Sequence, residues 1–474
     1  MALTLYPRRR SETVVLEPRG LEGSRAPVVP LIIMTAGFPV LWALGLGPLA
    51  YPLITFGLML WLVGHRRPII LPRAGGWWLI FLLWVCLSVL VLNLAAPHTV
   101  GGGTVGALMA FGYRLVQYVS ATFLLLYLAS TTDQEVSAQK IVRGLAWLFV
   151  ASVIGGYLGL ALPHGGFISP MQRILPSFLL NNSFISDLVH PSFAQVQNVL
   201  AEGDNARGKA PFTYTNEWGG MMAYLLPFFV LDTIWSGRRR LLRWGLLAAS
   251  GIPIVLSLNR GLWVCLAVSA FVTFLWIAAR NPRRALVGVL VAAVIGVGVV
   301  ASPLGAVFAG RFQSNHANAS RSFIAQRAIQ GGLDAPIIGW GGPRLAEGNP
   351  SSRTEGASAS CPKCSPPSIG THGQAWLVLF SQGVLGLLLF VSFFVTWLWR
   401  LRRPPTFYHL VLLMTVVSWL VQLAFYPGVP MGIHMVFFAI GLASRDVTPP
   451  GPVLREHWRR AMRRPSLDLD SVNA

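Results

Sequence analysis

The sequence predicts an all-α polytopic membrane protein of about twelve transmembrane helices, with a large extracytoplasmic loop between the ninth and tenth. Three observations carry that prediction. The 474 residues are 54% hydrophobic and only 11% charged, with a mean hydropathy of +0.59, which lies outside the range of soluble domains. Apolar runs long enough to cross a bilayer, roughly 17–25 residues each, recur along the chain. Basic residues gather in alternate links between those runs, as the positive-inside rule requires.

Taken in order, the first ~27 residues are polar and basic, with Arg8, Arg9, Arg10, Arg19 and Arg25 and no apolar stretch of signal-peptide type. They read as a cytoplasmic tail. Apolar runs follow near 28–47, 48–64, 76–95, 105–129, 142–163, 216–235, 242–258, 262–279, 285–302, 374–398, 407–426 and 430–444. The first two are separated by little more than Gly47 and form a spanning pair or a re-entrant pair. One transmembrane domain, 28–444, is thus flanked by basic tails at 1–27 and 445–474.

The formal charge of +20 would suggest nucleic acid as a partner of a soluble chain. Here 34 of the 37 basic residues are arginine, and in an apolar chain such residues set topology and meet anionic lipid. No nucleic-acid partner is expected. With the amino terminus inside, 26 of the 37 basic residues fall in cytoplasmic segments. Most of the others lie in two long loops, about 164–215 and 303–373, which are exempt from the rule. Both termini are therefore expected on the cytoplasmic side, with the long loops outside.

The residues able to carry chemistry lie mostly on that outer face. Arg260, in Ser257-Leu258-Asn259-Arg260-Gly261, breaks the positive-inside pattern in a short outer link. It either snorkels to lipid phosphate or binds an anion bidentately from a cavity wall. Arg114 lies about nine residues inside the fourth span, where an arginine must be paired or hydrated. Carbonyl packing and a lipid-phosphate groove are equal readings for it. Arg207 and Lys209 stand before the sixth span, where Glu202 and Asp204 offer simple neutralisation.

The second long loop should hold a short helix, capped by Ser320 and stopped by Gly331-Gly332. Arg321 and Arg327, six positions apart, project from different faces of it, so one of them reaches any site. His372 begins the tenth span and is the best candidate base, since nearby arginines would keep its imidazole neutral. His98, His164, His190 and His316 read as surface or capping residues, and His434 as a core histidine. Cys361 and Cys364 are expected to form a local disulfide, and Cys86 and Cys265 to be packing thiols. On the outer face no His/Cys cluster or Asp-x-Asp pair suggests a metal, and no cofactor is expected.

Several short motifs in this order resemble the O-antigen ligase and O-antigen polymerase superfamily of bacterial membrane glycosyltransferases. They are Gly-Lys-Ala-Pro-Phe-Thr-x-Thr-Asn before the sixth span, Ser-Leu-Asn-Arg260-Gly, Ser320-Arg321, Pro336-Ile-Ile-Gly-Trp-Gly, Thr-His372-Gly-Gln-Ala-Trp-Leu and Gln-Gly-Val-Leu-Gly. The resemblance covers about 105–444. It implies metal-independent, inverting transfer of a glycan from undecaprenyl diphosphate to an acceptor hydroxyl outside the membrane. The acceptor would be a glycan, a lipid or a protein, and ligase is slightly favoured over polymerase. Arg260 and Arg321 would hold the diphosphate, with Arg207 or Lys209 adding to them, and His372 would activate the acceptor. The flap bearing Cys361 and Cys364 departs from the common pattern. A twelve-span secondary transporter is the alternative, although the related halves that transporters commonly show are not visible.

Overall fold

A computed structural model describes residues 26–445 apart from 101–104, 182, 198–204, 238, 303–304, 306–315 and 347–367. The expected disulfide between Cys361 and Cys364 and both tails up to Arg25 and beyond Arg445 lie outside the described residues.

The chain is a helical bundle. Its helices are α1 (Val29–Met34), α2 (Phe38–Ala43), α3 (Ala50–Gly64), α4 (Gly75–Leu87), α5 (Val105–Ala129), α6 (Ala138–Ala161), α7 (Pro170–Ile174), α8 (Ser177–Leu180) and α9 (Ser183–Val189). They continue as α10 (Thr215–Ser236), α11 (Arg240–Ala249), α12 (Gly251–Leu256), α13 (Arg260–Ala278), α14 (Pro282–Val300), α15 (His316–Asp334), α16 (Gln374–Leu401), α17 (Phe407–Gln422) and α18 (Met431–Ala443). Five of them, α5, α6, α10, α13 and α16, are long and apolar enough to cross a membrane, and α3, α4, α17 and α18 are shorter apolar helices. The run near 28–47 is two six-residue helices with a turn between them, each rising only about 9 Å.

Lipid tails are as apolar as leucine, so burial alone does not assemble such a bundle; close packing and polar bridges do. Trp78 of α4 sits among Phe81, Tyr118, Phe390, Phe393, Phe394 and Phe437, which join α4, α5, α16 and α18. Its indole N–H donates to Thr122 at 2.8 Å. A second bridge runs from Thr55 through Ser120 to His434 Nε2, at 2.9 and 2.8 Å. His434 Nδ1 lies 2.6 Å from the Pro430 carbonyl, so His434 is a core residue. Bridges of this kind contribute about 0.6 kcal/mol each.

Among the described residues, four short strands appear where the sequence suggested only loop. β1 (Thr99–Val100) pairs antiparallel with β4 (Leu345–Ala346), and β2 (Ala194–Gln197) with β3 (Asn205–Gly208). The β2–β3 hairpin lies on a glycine stripe of α6. A Cβ on Gly159 would stand 2.6 Å from Gly208 Cα, and one on Gly155 would overlap the Ala210 carbonyl. Only bare helix backbone lets the Arg207–Ala210 stretch approach so closely.

Helix α16 is not continuous. Gly383, at φ 71° and ψ −176°, breaks it about ten residues from its start. The turn after α15 fills the break: Trp340 N–H donates to Phe380 O (3.0 Å), Gly341 N–H to Ser381 O (2.8 Å), and Leu385 N–H to Pro336 O (3.1 Å). Trp84 Nε1 bridges the Ile337 and Gln382 carbonyls at 3.0 and 3.2 Å. Backbone groups freed inside an apolar bundle are thereby satisfied. At the other end of the bundle Arg445 closes the last helix, donating to Leu128 O, Val136 O and Thr131 Oγ1 at 2.6–2.8 Å.

Candidate active site

The corner between α12 and α13 is the anchor of the site. Leu258 takes a positive φ of 53°, uncommon for a side chain of that kind and a mark of local constraint. Asn259 then caps α13, its Oδ1 accepting from Leu262 N–H at 3.1 Å, so that Arg260 becomes the first residue of the helix. The Tyr426 hydroxyl, from the α17–α18 link, also donates to Asn259 Oδ1 and packs directly on Gly261. Arg207 is buried, with Nε donating to Ser257 O at 2.6 Å and Nη2 to Asn216 Oδ1 at 3.3 Å. It clamps the hairpin from the first long loop onto the corner that carries Arg260.

The second long loop reaches the same corner through α15. That helix starts at His316 and runs through Gly331 and Gly332 to Asp334. Ser320 is therefore an interior residue rather than its cap, and the glycines do not stop it. They admit Phe380 and Leu379 of α16, whose atoms would lie 2.4–2.6 Å from Cβ atoms at 331 and 332. Arg321 shares a helix face with buried Ile324 and Ala328, at spacings of three and seven. The charges of Arg321 and Arg260 interact, and Tyr426 feels both Arg321 and Arg207. Arg327 turns elsewhere: it stacks on Phe323 at 5.3 Å and donates to Gln330.

His372 precedes the first turn of α16, and that turn is bolted to the α17–α18 link. Gln374 N–H donates to Tyr426 O (2.9 Å) and Ala375 N–H to Leu423 O (2.8 Å). The Gln374 side chain joins Tyr118 OH (2.7 Å) to Gly428 N (3.0 Å). His372 itself is half-buried. Burial, and then the charge of Arg321, push its pKa down to about 4, so the imidazole is neutral at neutral pH. Tyr426 is pushed up to about 12 by burial, against the pull of Arg321 and Arg207, and stays a donor. Lys209 is buried and lowered by desolvation, with Asp187 and Glu217 opposing that shift. Glu217 accepts from Thr213 N–H at 3.1 Å, and Tyr214 OH donates to Asp187 at 3.3 Å.

Arg260, Arg321, Arg207 and His372 therefore converge on one corner, Lys209 lies beside it with two acids, and Arg327 stays apart. Arg114 does not pair with Asp232, which binds Arg243 at 2.6 Å and Arg143 at 3.7 Å; it faces Tyr118 and Arg344. Tyr426 and Asp187 escaped the sequence reading because a lone tyrosine or aspartate in a loop carries no periodic signal. Arg344 was equally silent, although its position directly after Gly341-Gly342-Pro343 marks a turn that something must hold.

Residues 245–391 match the family model described as O-Antigen ligase. That segment is similar to O-antigen ligase domains. The match supports a place in the O-antigen ligase and polymerase superfamily, and with it ligase- or polymerase-type function in a multi-pass membrane protein. This domain holds Arg260, Arg321 and His372, whereas Arg207, Lys209 and Arg114 lie outside the matched segment. No curated protein and no solved structure matches the chain significantly.

Proposed function

We propose that the chain transfers a glycan from undecaprenyl diphosphate to an acceptor hydroxyl on the extracytoplasmic face, with inversion. The convergence of two arginines and a neutral imidazole on one corner carries this reading. Arg260 and Arg321 hold the donor diphosphate, and Lys209 adds a third charge at its edge. Arg207 acts mainly by fixing the corner. The acceptor oxygen attacks the anomeric carbon, the bond from that carbon to the phosphate oxygen breaks, and undecaprenyl diphosphate leaves with the bonding electrons. His372 takes the acceptor proton, and the pre-placed guanidinium groups stabilise the charge growing on the leaving diphosphate. Neutralisation is thus assigned to arginines rather than to a divalent ion. The acceptor is a glycan, lipid or protein, with ligation favoured over polymerisation.

Gene deletion followed by mass spectrometry of lipid-linked glycans tests the reading. Long chains left on lipid identify a lost ligase, single repeat units a lost polymerase, and no accumulation of either kind sinks the proposal. With purified protein, His372→Ala should abolish transfer while donor binding persists, and Arg260→Ala should weaken donor binding.

A further inference from the structure

Three segments far apart in the chain meet at one side chain, Asn259. Its Nδ2 donates to Thr215 O at 3.4 Å, at the start of α10. Its Oδ1 accepts from Leu262 N–H at 3.1 Å, which caps α13 directly behind Arg260. The third contact is the Tyr426 hydroxyl, which donates to the same oxygen. Asn259 is 2% exposed and Tyr426 4%, so this bond is shielded from bulk water. Gly219 of α10 leaves the amide its place, since a Cβ there would overlap Asn259 Nδ2.

Tyr426 serves both halves of the site. Its side chain holds the corner that carries Arg260. Its main chain holds the helix that follows His372, with Tyr426 O accepting from Gln374 N–H at 2.9 Å. Neighbouring atoms of the same link reinforce that second hold: Leu423 O accepts from Ala375 N–H at 2.8 Å, and Ala424 O from Trp376 Nε1 at 3.0 Å. The link is thus fastened to α16 through its own carbonyls, which a side-chain substitution in the link does not remove. The hold on the corner differs in kind, because removing one hydroxyl oxygen abolishes the Tyr426–Asn259 bond. Guanidinium groups stabilise a leaving anion only when they are pre-placed, and a misplacement of about 1 Å can cost about 100-fold in rate.

We propose that Tyr426, acting through Asn259, is a positioning residue that sets where Arg260 stands relative to His372. The inference rests on the reading that Arg260 holds the donor diphosphate. The Tyr426 hydroxyl is committed to Asn259, so it acts on the reaction without touching substrate.

The test is equilibrium binding of radiolabelled undecaprenyl diphosphate to the full-length protein in detergent. Tyr426→Phe keeps the ring and the backbone bonds to α16 and removes only the hydroxyl; it should weaken binding about 5-fold. Asn259→Ser retains a capping oxygen for α13 but is too short to meet the hydroxyl, and should weaken binding to the same degree. The decisive variant combines Tyr426→Phe with Arg260→Ala. A residue that acts through Arg260 then has nothing left to position, so the double variant should bind no more weakly than Arg260→Ala alone. A merely structural hydroxyl would lower affinity again by the same factor. If Arg260→Ala weakens binding while Tyr426→Phe does not, or if the two effects multiply, the positioning role is overturned and the diphosphate assignment stands. If Arg260→Ala binds as well as the unmodified protein, the diphosphate assignment fails and takes the positioning role with it.

Discussion

Replacing Gly383 by alanine should undock α15 from the break in α16. At φ 71° and ψ −176° the backbone is in a region that is essentially reserved for glycine, and a side chain there costs about 1–3 kcal/mol. The added Cβ would also stand 2.6 Å from Pro336 O and 2.8 Å from Ala335 O. Moving Pro336 O away breaks its bond from Leu385 N–H, which adds about 1 kcal/mol. A total of about 2–4 kcal/mol raises the open population of α15 roughly 30- to 900-fold, and proteolysis follows that population when opening is fast. Limited trypsin digestion, scored at Arg321 and Arg327, reads the change directly. Gly57→Ala is the control: nothing lies within 4 Å of its Cβ position inside α3, so the same substitution should be neutral or stabilising by at most about 1 kcal/mol. Equal trypsin sensitivity of the Gly383→Ala and Gly57→Ala proteins would refute the docking argument. Donor affinity should fall with docking, because α15 carries Arg321.

The remaining predictions concern the site and the closing clamp. Transfer should be nearly independent of pH from about 5.5 to 8 as far as His372 is concerned, and should fall as pH drops toward 4; a pH–rate profile with an acid limb near 6.5 would contradict it. Because the folded pKa of His372 lies below its unfolded value, its contribution to stability is complete above about pH 6.5 and is lost as pH falls toward 4. That loss is at most about 3 kcal/mol, measurable as a pH-dependent unfolding midpoint. Arg327→Ala should leave donor affinity within about 2-fold of the unmodified protein, whereas Arg321→Ala should weaken it about 10-fold or more. Arg445→Ala removes three charge-assisted bonds to the end of α5 and the α5–α6 link. It should lower the thermal midpoint without changing the affinity for donor.

Much of this was legible in the sequence, for physical reasons that can be stated. Long apolar runs announce spans, and five helices of spanning length overlap runs read from composition. Arg260 stood out because an arginine in a short outer link breaks the positive-inside pattern. The break at Gly383 did not, since Gln382-Gly383 sits in an unbroken apolar run, and only the incoming carbonyls of 335 and 336 reveal why a glycine is there. The Gly331-Gly332 pair was misread for the converse reason. Glycine ends helices when alone in solvent but admits a neighbour when packed, and Phe380 and Leu379 are remote in sequence. The choice between Arg321 and Arg327 needed the buried face of α15, which Ile324 and Ala328 define.

The same three backbone hydrogen bonds that seat α15 in α16 bear on how the site is loaded. An element fastened this way resists swinging aside as a lid, and Arg321 keeps its register with His372, which immediately precedes α16. Under the proposed function, a donor carried on a lipid would then arrive sideways, through the leaflet. Its relevant concentration is an areal density rather than a molar one. Initial rates in proteoliposomes should therefore collapse onto one curve when plotted against donor mole fraction in the bilayer, whatever the total lipid, and scatter when plotted against bulk concentration.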